Sequence, residues 1–159
     1  MGALRCEKQM ADTPRYTIRM AKGEADRAKL RYLHDLTFGD CAPVPDFQEG
    51  DWWLVTCPVD GGGREAAAFA GMVPSYSTET AGYLSRVGVH PSHRGHGLQR
   101  RLIRVREQRA RQLGYAALVS DTTDNIPSAN NLIAAGFRLF QPEHPWFTEH
   151  TLYWIKHLH

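Results

Sequence analysis

Residues 87–102 read VGVHPSHRGHGLQRRL, and this stretch decides the fold. An alternating apolar segment leads into two glycines, Gly95 and Gly97, and apolar residues at helical spacing follow them. The pattern predicts a strand, a glycine-containing turn and a helix that ends at Gly114. The first backbone N–H groups of a helix have no internal partners, and glycines let a ligand approach them closely. The stretch therefore predicts an anion site suited to phosphate.

The same stretch carries three histidines at a spacing of three, His90, His93 and His96. A zinc site needs three or four converging ligands, and these histidines flank a proline and a tight turn, so we predict no metal site. The GK[ST] sequence of a Walker loop is absent, and GHGLQR lacks the third glycine of a dinucleotide fingerprint. Nucleoside triphosphate and NAD are therefore disfavoured as ligands.

Composition points to one ordinary globular domain. The chain has 159 residues, 42% of them hydrophobic and 23% charged, with a formal net charge of +2. That charge is too small to indicate a nucleic-acid or membrane partner, although arginines cluster between residues 94 and 111. The odd number of cysteines without CxxC spacing favours a reducing compartment. With no signal sequence or membrane span recognised, we expect a cytoplasmic protein with a flexible tail over residues 1–13 and a single domain over residues 14–159.

The order of predicted elements is β-α-β-β-β-α-β-α-β-β, which defines an α/β fold with a mixed sheet. Strand, helix and strand across residues 82–120 predict one parallel pair. Alternation in the second strand predicts that either Trp52 or Trp53 faces outward. The predicted strands cover residues 15–21, 51–59, 66–73, 81–89 and 115–120 and two C-terminal segments, and the predicted helices cover residues 23–38, 98–113 and 128–136.

Two motifs resemble those of the GCN5-related N-acetyltransferase (GNAT) family. Residues 87–97 match V-x-V-x-P-x-x-R-G-x-G, and residues 125–137 match N-x-x-S-x(7)-G-F. The resemblance runs from about Tyr16 to the C-terminus. It implies a GNAT-like, mostly antiparallel central sheet flanked by helices, with a splayed parallel strand pair that admits coenzyme A. Two residues depart from the family pattern: Gln99 replaces a small residue, and Leu132 replaces a tyrosine similar to a general acid.

The resemblance also implies which residues bind the cofactor. The strand before the turn would pair with the pantetheine arm, the turn would hold the pyrophosphate, and a second motif would contact the pantetheine. These residues are Val87, Gly88, Val89, Arg94, Gly95, His96, Gly97, Leu98, Gln99, Asn125 and Ser128. The expected co-substrate is acetyl-CoA, with no metal.

The implied activity is transfer of an acetyl group from acetyl-CoA to a primary amine by direct attack. Tyr83 is our candidate general base and Ser85 our candidate water-holding residue, with Glu79 nearby; attack without a dedicated base is an alternative. No cysteine lies in the loop, which disfavours an acyl-enzyme. A non-catalytic coenzyme A-binding module is the main rival function, and a basic nucleic-acid-binding or nucleobase-modifying protein is a third.

The acceptor is not specified by a motif. The segments expected to form its pocket, residues 32–47 and 141–150, contain aromatic and acidic residues that favour a small amine, but lysine side chains and protein N-termini stay open. Trp146 is predicted either to contact the acceptor or to pack. A homodimer is a tendency of the family, and no membrane partner is expected. The acidic residues that favour a small cationic amine as acceptor are Asp35, Glu79, Glu143 and Glu149.

Overall fold

The computed structural model describes residues 14–159, so the predicted N-terminal tail lies outside the described residues. The predicted α/β architecture is confirmed, with α1 spanning Gly23–Phe38, α2 spanning Leu98–Gln112 and α3 spanning Ile126–Ala134. The eight strands between residues 14 and 159 are β1 Thr17–Met20, β2 Asp51–Pro58, β3 Arg64–Pro74, β4 Ala81–Tyr83, β5 Val87–Val89, β6 Ala117–Thr122, β7 Arg138–Leu139 and β8 Leu152–His157.

The strands form one mixed sheet in the order β1-β2-β3-β4-β6-β8-β7, with β5 paired to β3 off this path. Antiparallel pairs predominate, and the predicted parallel pair is confirmed as β4 with β6. The last contact of that pair is the N–H of Leu84, which donates to the Val119 carbonyl at 2.9 Å. Beyond it, β5 stays with β3 while residues 120–122 stay with β8, so the sheet opens between them.

The predicted continuous strand over residues 81–89 is therefore corrected to two short strands. Residues 84–86 form an irregular link, in which Arg86 has a φ of 37°. The N–H of Gly71 on β3 donates to the carbonyl of Ser85 at 2.9 Å and to that of Arg86 at 3.3 Å. Two residues on one strand oppose three on the other, which is the arrangement of a β-bulge.

Helices cover both faces of the sheet. On one face, Leu30 and Leu33 of α1 pack with Trp52 and Phe69. On the other, α2 packs against a cluster that contains Trp53. The expectation that one tryptophan faces outward is wrong because neither face of β2 meets solvent: Trp52 is 3% and Trp53 is 4% exposed. Such a doubly covered strand is buried on both faces, here from Trp52 to Cys57, so alternation does not mark an outer face.

The N-terminal turn of α1 is fixed by a carboxylate. Asp26 accepts hydrogen bonds from the Arg19 guanidinium at 2.6 and 2.8 Å and from the Lys22 N–H at 2.8 Å. These contacts tie α1 to β1 and satisfy a backbone donor at the helix start. None of the helices described between residues 14 and 159 is both long and apolar enough to span a membrane.

Candidate active site

A glycine turn leads from β5 into α2. Gly95 and Gly97 have φ values of 80° and 69°, in the left-handed region that favours glycine. Gly97 is the N-cap residue of α2, and no side chain from the described part of the chain caps the helix. A Cβ built at either glycine would meet no described atom within 4 Å. The turn therefore presents backbone N–H groups and the positive end of a 15-residue helix to an open space.

That space is a cleft of about 720 Å³. All of the residues predicted to bind the cofactor line it except His96, which is exposed beside the Tyr16 ring. Among the described residues, the charged side chains on its walls are Arg94 and Arg100, and no Asp or Glu lines it. The cleft thus suits an anionic ligand by its backbone donors, its helix dipole and its side-chain charge.

The three histidines of the turn make separate contacts. His93 is buried, with Nδ1 hydrogen-bonded to the Tyr16 hydroxyl at 3.0 Å and Nε2 to the Glu65 carboxylate at 2.8 Å. His90 Nδ1 accepts from the N–H of Ser92 at 3.1 Å. His93 therefore anchors the turn to the sheet. Within residues 14–159 no group of three or more His, Cys, Asp or Glu side chains is placed to hold a metal ion.

The second motif forms the start of α3. Asn125 caps the helix by accepting from the Ser128 N–H at 3.1 Å, so the helix begins at Ile126 rather than at the predicted Ser128. Gln99 of α2 bridges the two helices: its amide donates to Ser128 Oγ at 3.0 Å and accepts from Asn131 at 2.9 Å. The departure from a small residue at position 99 thus fixes the spacing of α2 and α3.

A second cavity, of about 330 Å³, continues from the cleft into the opening of the sheet. The cleft and the cavity share Phe38, Val87, Gln99, Asn125 and Ser128 as wall residues. The far walls come from the bulge, from residues 120–123 and from the segment after α1. The cavity therefore lies where a ligand in the cleft would meet a second ligand entering from the α1 side.

Within residues 14–159, one carboxylate, that of Asp121, lines this cavity. Asp121 Oδ2 accepts from the Tyr83 hydroxyl at 2.7 Å and from Trp146 Nε1 at 2.9 Å. Trp146 also packs edge-on against Tyr83 and Tyr153, with ring centroids 6.2 and 4.5 Å apart. Both hydrogen bonds use one carboxylate oxygen, and no residue within 14–159 donates a hydrogen bond to the other, Oδ1.

The two predicted catalytic residues are placed differently. Tyr83 lines the cavity, but burial and the adjacent charge of Asp121 raise the pKa of its hydroxyl well above the ordinary value. Ser85 is buried, its carbonyl accepts from Gly71, and it lines neither the cleft nor the cavity. Leu132, at the position of the family tyrosine, is a buried wall residue of the cavity. The roles of Tyr83 and Ser85 stay predictions.

Sequence reasoning missed Asp121. The signal available was its place near the carboxyl end of a buried parallel strand, where ligands of open α/β sheets bind. The acids considered instead, such as Asp35 and Glu79, are exposed and line neither the cleft nor the cavity.

Comparison with known proteins places this fold in a family. A sequence model described as the acetyltransferase (GNAT) family matches residues 27–137. Since that match covers more than half of the chain, the chain belongs to the GNAT acetyltransferase family. No curated protein sequence matches the chain.

Solved structures share the fold at low identity. The ribosomal-protein-S18-alanine N-acetyltransferase of Escherichia coli is 16% identical, with 89% of this chain and 92% of that chain covered and a TM-score of 0.66. A Bacillus subtilis acetyltransferase in complex with CoA is 14% identical over 91% of this chain and 99% of that chain, with a TM-score of 0.65. A Salmonella typhimurium protein with acetyl-CoA is 20% identical over 91% and 94%, with a TM-score of 0.66. At these identities the likeness concerns the fold.

Proposed function

We propose that this chain is an acyl-CoA-dependent N-acetyltransferase that moves an acetyl group from acetyl-CoA to a primary amine. The observation that carries the proposal is the junction of two cavities in the opening of the sheet. One cavity ends at the uncapped N-terminus of α2, and the other contains the carboxylate of Asp121. An anionic acyl carrier and a cationic amine would therefore meet at the residues that both cavities share.

The cleft fits coenzyme A by the chemistry of its walls. The helix N-terminus, Arg94 and Arg100 would hold the pyrophosphate, because all three place positive charge or N–H donors at one end of the cleft. One edge of β5 pairs with β3 and the other borders the opening, where its main-chain groups would bond the pantetheine amides. When bound, acetyl-CoA supplies a thioester that is already activated toward an amine.

Asp121 is our proposed general base. Transfer forms a C–N bond and breaks the C–S bond. A bound ammonium must lose one proton before it can attack, and it loses a second as the tetrahedral intermediate collapses; this second proton leaves with the departing thiolate. An alkyl amine with a pKa of about 10.4 is almost fully protonated at neutral pH, so a nearby carboxylate both attracts the ammonium and receives its proton. The hydroxyl of Tyr83 donates to Asp121, which makes Tyr83 a positioning residue in this mechanism.

The mechanism needs no dedicated general acid. Leu132 cannot donate a proton. A thiol such as that of cysteine has a pKa of only about 8.5, so a thiolate is a far better leaving group than an alkoxide. The replacement of the family tyrosine by leucine is therefore compatible with turnover.

Calorimetry and a thiol-release assay test the proposal together. We expect the full chain to bind both coenzyme A and acetyl-CoA and to release thiol in the presence of amines. Asp121→Asn should keep coenzyme A affinity and lower turnover by about 10²- to 10⁴-fold, the usual contribution of a general base. Asp124→Asn is the matched control, because Asp124 is exposed nearby and lines neither cavity.

The outcomes separate the candidate functions. Binding of coenzyme A without turnover of any amine would favour the non-catalytic module. Absence of coenzyme A binding by the folded protein would overturn the proposal.

A further inference from the structure

The cavity between β5 and β6 has an unequal set of charges. Its ionisable wall residues include one carboxylate, Asp121, and two guanidinium groups, those of Arg86 and Arg106. Within residues 14–159, neither arginine forms an ion pair with a carboxylate; both donate to main-chain carbonyl oxygens. A ligand that brings only an ammonium group would add positive charge to a site already positive. A ligand that also carries an anionic group would balance it.

The two arginines differ in how fully their donors are used. Arg106 lies within α2 and is only 2% exposed; its Nε donates to Leu102 at 3.0 Å and its NH1 to Gly71 at 3.2 Å. Among the described residues, Arg86 makes a single long hydrogen bond, to the Pro43 carbonyl at 3.4 Å. A guanidinium has five N–H donors, so Arg86 keeps most of its capacity to bind an anion.

Arg86 also lies on the wall that faces the acceptor side. Its guanidinium carbon is 5.4 Å from the centre of the Phe38 ring, at the end of α1, and Cys41 and Ala42 continue that wall. The backbone of Arg86 is in the left-handed region, with φ at 37°. That conformation costs a non-glycine residue about 1–2 kcal/mol, and such strain clusters at functional sites.

Asp121 and Arg86 act on the same part of the cavity. Tyr83 hydrogen-bonds to Asp121, and it lies three residues before Arg86, the strained residue of the bulge. Burial and Asp121 raise the pKa of Tyr83, whereas Arg86 acts in the opposite direction, so both charges are felt at one hydroxyl. A carboxylate and a guanidinium that face one small cavity form a complementary pair for a zwitterion.

We propose that the acceptor is a free amino acid or a similar small zwitterion, whose amine is held by Asp121 and whose carboxylate is held by Arg86. This inference rests on the proposed N-acetyltransferase function and names the substrate class of the same site. The apolar wall residues Phe38, Leu84 and Phe147 would contact the side chain of the acceptor. A volume of about 330 Å³ is at the lower end for ligand sites, as expected for so small a molecule. A lysine side chain on a protein offers no carboxylate beside its amine.

Matched acceptor pairs provide the test. Each amino acid is compared with the amine that lacks only its carboxylate: phenylalanine with phenethylamine, and leucine with isopentylamine. The readout is kcat/KM for thiol release from acetyl-CoA by the full chain. We expect the amino acid to be preferred by about 10- to 100-fold, the range for a charge-assisted hydrogen bond. Arg86→Gln should remove the preference chiefly through KM, and Arg86→Lys should restore part of it.

Arg104→Gln is the control variant, because Arg104 is an exposed arginine that lines neither the cleft nor this cavity. It should keep the preference. If the wild-type chain uses both members of each pair equally well, the inference is overturned and the proposed function stands. This result depends on the wild-type protein alone, so it does not require any variant to fold. Retention of the preference in Arg86→Gln would also overturn it. If neither the amino acids nor the matched amines support thiol release, the proposed function and this inference are overturned together.

Discussion

Replacing Tyr83 by phenylalanine separates two mechanisms for proton removal. If Asp121 is the base, the change deletes one of two hydrogen bonds to Oδ2, the one of 2.7 Å, and keeps the Trp146 bond of 2.9 Å. A hydrogen bond to a charged group contributes about 1.5–3 kcal/mol, and the remaining donor still orients the carboxylate. We therefore expect Tyr83→Phe to cost an amount at the low end of this range, which corresponds to a loss of about tenfold in kcat/KM. Asp121→Asn should lower kcat/KM by about 10²- to 10⁴-fold.

The pH profile gives the sharper readout. Because the pKa of Tyr83 is raised, its phenolate is scarce throughout the neutral and mildly alkaline range. With the preferred amino acid as acceptor, the Asp121 mechanism predicts that kcat/KM levels off once the pH passes the pKa of the acceptor amine. A phenolate base would instead make the rate keep rising by about tenfold per pH unit.

A continued rise in the wild-type chain, together with a Tyr83→Phe variant as inactive as Asp121→Asn, would refute our assignment. Tyr83 would then be the base, as the sequence first indicated. Trp146→Phe is the matched control, since it removes the other donor to the same oxygen and cannot act as a base itself. We expect it to resemble Tyr83→Phe in size and to keep the plateau.

Three further substitutions test the cofactor turn and the fold. Gly97→Ala should weaken coenzyme A binding by about tenfold or more in calorimetry, because a left-handed alanine costs about 1–2 kcal/mol and places a Cβ on the turn that faces the cleft. Gly114→Ala is the control, because Gly114 has a similar φ of 76° but lies at the other end of the helix, and it should leave binding unchanged. Gly88→Ala should lower the free energy of unfolding by about 1–3 kcal/mol in a denaturant titration, because its Cβ would lie 2.4 Å from Thr37 Oγ1 and 2.5 Å from the Phe69 ring. Asp26→Asn should lower it by about 2 kcal/mol at neutral pH. Hydrogen bonds from Arg19, and then from the Lys22 N–H, hold the pKa of Asp26 below its ordinary value. The stabilisation that the Asp26 carboxylate provides is therefore present above about pH 4 and is lost as the pH falls further. A difference in unfolding free energy between Asp26→Asn and the wild type that persists at low pH would contradict this.

The sequence predicted the elements well because local patterns determine them. Helix α1 was predicted to its observed bounds, since its apolar side and its flanking breakers are all local signals. The glycine turn was also predictable, because the left-handed conformations of Gly95 and Gly97 favour glycine. The family match and the parallel pair of β4 and β6 agree with that part of the prediction.

Tertiary contacts decided the parts that were missed. Trp53 is buried because α2 covers its face of the sheet, and nothing local in DWWLVTCP signals that cover. Asp121 is significant because Tyr83 and Trp146, which are 38 and 25 residues away in sequence, converge on it. A sequence pattern reports what each residue type can do, and convergence across such separations appears only in the folded chain.

The break between β4 and β5 shows how the fold satisfies a main-chain carbonyl at the opening of the sheet. Where the strands part, the Gly71 carbonyl on β3 accepts a hydrogen bond from the guanidinium of Arg106 at 3.2 Å. Gly71 can have no side chain, because the Trp52 ring lies 2.6 Å from where a Cβ would be. Burial lowers the pKa of Arg106 to about 9, which still leaves the group cationic at neutral pH. A charge inside the core thus stabilises a broken strand, and beyond that break β5 stays with β3 while the end of β6 stays with β8.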